Sequence, residues 1–157
     1  MSGSRDESYF NSRTAILAAI PHRPPFLFVD NILTWTDEEI VCSYQFKQDE
    51  FFFAGHYPNY PIVPGVVLCE AAMQAGAIYM TRLFSDDDRK AGKIPVVGRL
   101  NDVKFKRLVR PLDTVELRVA FKERVANVFM LRAKVLCDGA LAVSFDFAVT
   151  MTEPLEE

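Results

Sequence analysis

The chain is poor in cysteine, histidine and tryptophan and carries no strong excess of either charge, and each scarcity removes a class of protein. Its 157 residues include only Cys42, Cys69 and Cys137, an odd number with no Cys-x-x-Cys pair. That count and spacing argue against a disulfide framework and against a zinc site. All three lie in apolar stretches, as buried free thiols of a reducing compartment do. The net charge is −3, so nothing global points to nucleic acid. The longest apolar run, near residues 62–80, opens with proline and glycine and contains Glu70 and Gln74. It does not read as a transmembrane span. Residues Met1 to Glu7 are polar, and no signal-peptide core is visible there. The expected location is the cytoplasm. No repeat or flexible linker interrupts the sequence. One domain over residues 1–157 is expected, with residues 1–11 as a loose terminus.

What is present is an ordinary globular mixture with one excess. Half of the residues are hydrophobic, a quarter are charged, and thirteen are Phe. That many flat apolar rings predict an aromatic core or a buried apolar channel.

The patterning predicts a short helix, one long helix and a run of strands. A short helix is expected over residues 12–20, with Ser12 as N-cap and Pro21 as stop. Phe26 to Ile32, rich in aromatic and β-branched residues, reads as a strand. Ile40, Cys42, Tyr44 and Phe46 alternate with Val41, Ser43 and Gln45, a second strand. Pro58, Pro61 and Pro64 then punctuate a loop that should be stiff, because each proline fixes its own φ and restricts its predecessor. Pro64 suits the first turn of a helix running from Gly65 to about Leu83. That helix is apolar nearly all round, so it should be buried. Residues 84–93 read as a charged loop. Beyond it, Val115, Leu117, Val119 and Phe121 alternate with polar residues, and Phe129 to Cys137 is a further strand. Asp138-Gly139 signals a type I′ hairpin into a last strand with Leu141, Val143, Phe145, Phe147, Val149 and Met151 on one face. One buried helix followed by antiparallel strands with one apolar face predicts an α+β architecture, the sheet wrapped around the helix.

The chemistry concentrates in residues 54–74. His56 lies on the stiff loop, and Glu70 lies inside the apolar helix. A carboxyl there is costly unless it is paired or protonated. Histidine is the side chain best suited to exchanging a proton near neutrality. The Gly65 N–H stands at the positive end of the helix dipole and could polarise a carbonyl. A base, an acid and an oxyanion donor are the parts needed to remove water from a 3-hydroxyacyl thioester, with an apolar tunnel to hold the acyl chain. Each part also has a plainer reading: a loop histidine without chemistry, a solvent-facing glutamate, a glycine that eases helix packing.

The same stretch strongly resembles the active-site segment of 3-hydroxyacyl-[acyl-carrier-protein] dehydratases of the FabZ type. Gly55, His56, Pro58, Pro61, Pro64, Gly65, Val66, Glu70, Ala71 and Gln74 match that family's pattern, and His56 and Glu70 stand 70 − 56 = 14 residues apart, as in the family. Residues 21–32, PHRPPFLFVDNI, and residues 102–117, DVKFKRLVRPLDTVEL, resemble two further family segments. The resemblance covers roughly residues 15–150. It implies a hot-dog fold and a homodimer, with trimers of dimers common. It implies that His56 of one subunit acts as base opposite the partner subunit's Glu70 as acid, with no cofactor or metal. The Gly65 amide would polarise the thioester carbonyl, and Gln74 would orient the Glu70 carboxyl. Glutamate rather than aspartate at position 70 favours the dehydratase over the bifunctional dehydratase-isomerase type.

Departures from the family pattern are Tyr57 for Phe, the inverted order Ala72-Met73, Leu108 for Pro, Leu112 for Gly and Asn31 for Arg. None removes a catalytic group. Lys104, Lys106, Arg107 and Arg110 form a basic run. It reads either as a solvated strand face or as a dock for an acidic acyl carrier protein. His22, ahead of the first strand, reads as structural, since the reaction needs only one base, and Arg23 as a loop anchor. Phe51, Phe52, Phe53, Tyr57 and Tyr60 read as a tunnel gate or as core. The rival functions are a hot-dog thioesterase and a non-catalytic acyl- or carrier-binding protein.

Overall fold

The computed structural model describes residues 13–156. Ser12, expected as an N-cap, and the expected loose terminus 1–11 lie outside them. The first helix, α1, spans Arg13–Ala19. Strands β1 (Asn31–Trp35) and β2 (Glu39–Gln45) form a hairpin. Helix α2 spans Gly65–Met80 and a short α3 spans Asp86–Lys90. Four long strands follow: β3 (Ile94–Phe105), β4 (Thr114–Val125), β5 (Val128–Cys137) and β6 (Ala140–Thr152). The six strands make one antiparallel sheet in the order β1-β2-β4-β5-β6-β3.

The sheet wraps around α2, which packs on β2, β4, β5 and β6. Leu68, Ala71, Ala72, Ala75, Ile78 and Tyr79 of the helix are buried. They meet the strand residues whose alternation marked one face: Ile40, Cys42, Tyr44, Val115, Leu117, Val119, Val143, Phe145 and Phe147 are all buried. Burial of a Val, Leu, Ile or Phe side chain contributes about 1.5–3 kcal/mol, so this two-sided contact is the main source of stability. The Asp138-Gly139 turn has φ of 51° and 74° at its two residues, the positive pair a type I′ hairpin requires.

Three elements differ from the sequence expectation. Phe26 to Asp30 is not strand; β1 begins at Asn31. The Phe28 N–H donates to Gln74 Oε1 at 2.8 Å, so a helix side chain takes the place of a neighbouring strand. The long helix ends at Met80 rather than Leu83, in a turn where Thr81 Oγ1 donates to the Ile78 carbonyl. The charged loop contains α3, capped by Ser85 Oγ accepting from the Asp88 N–H at 3.1 Å. Its first turn is acidic and its last basic, which suits the helix dipole at both ends. Most of the phenylalanines build core rather than channel. Phe28, Phe46 and Phe52 lie with Tyr44 in one aromatic cluster, ring centroids 5.0–6.4 Å apart.

Strand β3 is unlike the others. Like the shorter β1 it lies at a sheet edge: among the described residues it pairs only with β6, so one edge of its twelve residues has no partner there. Ile94, Val96, Val97, Leu100 and Phe105 on it are exposed. A long exposed apolar edge strand is a ready site for pairing with another chain.

Candidate active site

Glu70 sits one and a half turns into α2, on the side of the helix that leaves the core. One of its oxygens is held firmly: Oε1 accepts from Gln74 Nε2 at 3.0 Å. Residues four apart on a helix face each other, which is why the pair can meet. Gln74 is itself fully committed. It is buried, its Nε2 also donates to the Phe26 carbonyl at 3.0 Å, and its Oε1 accepts from the Phe28 N–H at 2.8 Å.

Beside Glu70 opens an apolar cavity of about 530 Å³, walled by Met73, Ala77, Met80, Phe84, Val97 and Phe147. Its polar lining is His22, Glu70 and Gln74. A largely apolar pocket with a few convergent polar groups is the usual form of a small-ligand site. His22 Nε2 lies 3.5 Å from Glu70 Oε1. The placement of His22 against the acid is not legible from its own segment, because contact across 70 − 22 = 48 positions leaves no trace in local periodicity. Its one signal is membership of a second segment with family resemblance. Arg23 does anchor the loop: Nη1 donates to the carbonyls of Ile20 and His22, and Nη2 to that of Leu17.

His56 follows the 3₁₀ turn Phe53–Gly55. Its Nδ1 lies 3.0 Å from the Ile62 carbonyl oxygen. A carbonyl can only accept, so Nδ1 carries the proton, and in the neutral ring Nε2 presents a lone pair. The loop is pinned by the Val63 N–H donating to the Val109 carbonyl at 2.8 Å. Tyr57, next to His56, has φ of 53°, a left-handed conformation that an aromatic residue adopts only under constraint. His56 does not line the cavity that Glu70 lines.

Pro64 occupies the N-cap position just before α2, rather than its first turn, and no side chain caps the helix. Gly65 opens the helix against Phe105: a Cβ there would stand 2.6 Å from the ring. The packing role of this glycine is therefore present alongside any role of its amide. The basic run does not stay together. Lys104 borders a polar depression with Arg132 and Lys134, Arg107 pairs with Asp138 at 3.3 Å, and Arg110 donates to Tyr60 Oη at 2.7 Å beside the His56 loop. Of the five aromatics considered as a gate, Phe52 and Phe53 are core, while Phe51, Tyr57 and Tyr60 are exposed. Among the described residues no three His, Cys, Asp or Glu side chains cluster as metal ligands do.

An antiparallel sheet curled around one buried helix is the hot-dog fold, here with a carboxyl on the helix and a histidine on the loop that leads into it. Residues 20–146 match the FabA-like domain, and the chain belongs to that family. A relative from Oenococcus oeni, named 3-hydroxyacyl-[acyl-carrier-protein] dehydratase FabZ, is 40% identical over 134 residues, 85% of this chain and 94% of the relative. A protein of the same name from Streptococcus equi subsp. zooepidemicus is 38% identical over 130 residues, covering 82% and 89%. In fold, the chain is similar to the dehydratase heterocomplex ApeI:P from Xenorhabdus doucetiae, with a TM-score of 0.69 and 13% identity over 88% of this chain and 91% of that one. It is also similar to the TT0310 protein from Thermus thermophilus, with a TM-score of 0.62 and 19% identity over 83% and 100%.

Proposed function

We propose that the chain removes water from (3R)-3-hydroxyacyl thioesters carried on acyl carrier protein, giving trans-2-enoyl thioesters in fatty acid biosynthesis. His56 Nε2 takes the C2 proton. Glu70 delivers a proton to the departing 3-hydroxyl, which leaves as water. The Gly65 N–H, at the positive end of α2, holds the thioester carbonyl while negative charge develops on its oxygen. Proton count is restored when the imidazolium proton returns to the carboxylate. The acyl chain lies along the apolar wall of Met73, Ala77 and Met80, where water is excluded.

The observation that carries this reading is the pairing of a carboxyl, one oxygen already held by Gln74, with a large apolar cavity at its side. The proposed unit is a homodimer in which His56 of one protomer faces the partner subunit's Glu70. Two observations support that arrangement. His56 is absent from the Glu70 cavity within one chain, and that cavity is bordered by Ile94, Pro95 and Val97 of strand β3, whose outer edge has no partner among the described residues. A second copy docked on that edge would lie against the cavity. Closed two-fold dimers are the commonest soluble assembly. Carrier docking is assigned to Lys104, Lys106, Arg107 and Arg110 as separate exposed cations rather than one patch, with Arg110 beside the His56 loop. The cytoplasm is part of the same reading, supported by three free, buried cysteines. No described helix is long and apolar enough to cross a membrane.

The test is turnover of a 3-hydroxyacyl thioester on a carrier protein, following enoyl product and free thiol together. Enoyl product from the wild type, lost in His56→Ala and in Glu70→Ala, is the expected result. Free thiol without enoyl product would make the protein a thioesterase. Binding without turnover, in a folded sample, would make it an acyl- or carrier-binding protein.

A further inference from the structure

The mechanism above leaves one titratable side chain in the cavity unused. His22 Nε2 stands 3.5 Å from Glu70 Oε1, the same oxygen that Gln74 Nε2 reaches at 3.0 Å. Its other nitrogen, Nδ1, is buried and has no hydrogen-bond partner among the described residues. A buried polar atom without a partner costs stability, so this ring is not seated where its own hydrogen bonding would be best. Its surroundings hold it there from both sides. On the chain's N-terminal side, the Arg23 guanidinium ties the carbonyls of Leu17, Ile20 and His22 together at 2.7–2.9 Å. On the C-terminal side, Gln74 bonds the Phe26 carbonyl and the Phe28 N–H at 3.0 and 2.8 Å. The segment from Ile20 to Phe28 is thus strapped at two points, to the end of helix α1 and to helix α2, with the imidazole pressed against the acid between them.

We infer that His22 is a positioning residue for Glu70. With its proton on Nε2, the imidazole faces Oε1 with an N–H and leaves a bare lone pair at Nδ1. The opposite tautomer would strand an N–H there and turn a lone pair toward the carboxylate. Gln74 then holds Oε1 by a hydrogen bond at 3.0 Å, and the His22 N–H faces the same oxygen across 3.5 Å as an electrostatic contact. Rotation of the carboxyl about its terminal torsion, otherwise broad for glutamate, is restricted. Oε2 is left as the oxygen that meets the substrate hydroxyl. His22 acts through Glu70 and touches no reacting atom. The site therefore holds two histidines of different duty, His56 for the proton and His22 for the acid's orientation.

The inference rests on the dehydratase reading, and its test separates the two. Steady-state kinetics on the carrier-bound substrate would be measured for wild type, His22→Phe and His22→Gln, with thermal unfolding alongside. Phenylalanine keeps the ring's shape without a donor; glutamine places an amide N–H near the position of Nε2. His22→Phe should lower kcat roughly two- to tenfold, the range expected for losing one partly exposed polar contact, with KM and Tm nearly unchanged. His22→Gln should recover most of that loss. Wild-type kcat in His22→Phe would overturn the inference. Equal losses in both variants with a matching fall in Tm would also overturn it, as would loss in His22→Gln as deep as in His56→Ala. Independently of turnover, the imidazole ¹⁵N resonances of His22 should shift in Glu70→Gln; only two histidines need assigning. Unmoved His22 resonances would remove the contact itself, whatever reaction the protein performs.

Discussion

The Gln74 carboxamide binds Glu70 Oε1 and two backbone groups, the Phe26 carbonyl and the Phe28 N–H, at 2.8–3.0 Å. One buried side chain thus sets both the acid's orientation and the path of the segment that carries His22. Replacement by leucine, similar in volume, should orphan the Phe28 N–H and the Phe26 carbonyl. Gln74→Leu should lose about 2–4 kcal/mol of stability and lower kcat more than KM. Denaturant unfolding and steady-state kinetics on the same preparation check this.

Residues Arg110 to Asp113 form a turn closed by the Asp113 N–H donating to the Arg110 carbonyl at 3.1 Å. Pro111 takes its second position, and Leu112, with φ of 71°, its third. This is the type II pattern, whose third position favours glycine. Leu112 is exposed, so its side chain gives little in return for the strain. Leu112→Gly should stabilise the protein by about 1 kcal/mol, with activity unchanged. A rise in Tm checks it. The family's glycine at this position, absent here, has its physical reason in that dihedral angle.

The three cysteines should be inert in the folded protein. Burial pushes the Cys42 thiol up to about 12 from 9.0, and burial raises Cys69 and Cys137 as well. Thiolate is the reactive form, so iodoacetamide at pH 8 should label none of them until the chain is unfolded. The folded state keeps the Cys42 proton where the unfolded state releases it. Its contribution to stability is complete below pH 9 and declines as pH rises from 9 toward 12. Mass spectrometry of alkylated samples and unfolding measured across that range check both statements.

Gly65 has a packing reason for being glycine, and a double substitution separates it from any chemical one. Gly65→Ala forces the Phe105 ring aside, since the new Cβ would stand 2.6 Å from it. Phe105 is exposed and can move, so the stability cost should be modest, about 1–2 kcal/mol, and should vanish in a Phe105→Ala background. Activity should stay low in that background if the amide's placement matters to the carbonyl. Unfolding and kcat for the four members of the cycle check it.

Much of the fold is readable because burial writes itself into the sequence with a fixed period. The alternation over Ile40–Phe46 and the strands after Val115 become the buried face of the sheet, and Asp138-Gly139 becomes a hairpin turn. The apolar run after Pro64 becomes the wrapped helix. The departures share a cause. Phe26–Asp30 has strand composition, yet the Phe26 carbonyl and the Phe28 N–H bond Gln74, 48 and 46 positions away, and of its backbone N–H groups only that of Asp30 reaches β2, at Ser43. Short α3 follows from Ser85 and the charges at its two ends, a capping signal that the acidic run obscures. Within the site, His56 and Glu70 stand out by type and position, and Gln74 through the family resemblance. His22 does not, because only tertiary packing brings it to Glu70. The basic residues 104–110 look like one patch on paper, but strand pleat and loop geometry send them to separate neighbours.

The central claim is that His56 of one subunit works with the partner subunit's Glu70, and subunit mixing tests it most directly. Inactive His56→Ala and Glu70→Ala preparations would be mixed in equal amounts, with exchange followed by native mass spectrometry. Each mixed dimer holds one intact site and one doubly damaged site, so random exchange should restore about a quarter of wild-type activity. Full exchange without any recovered dehydration would contradict the shared site.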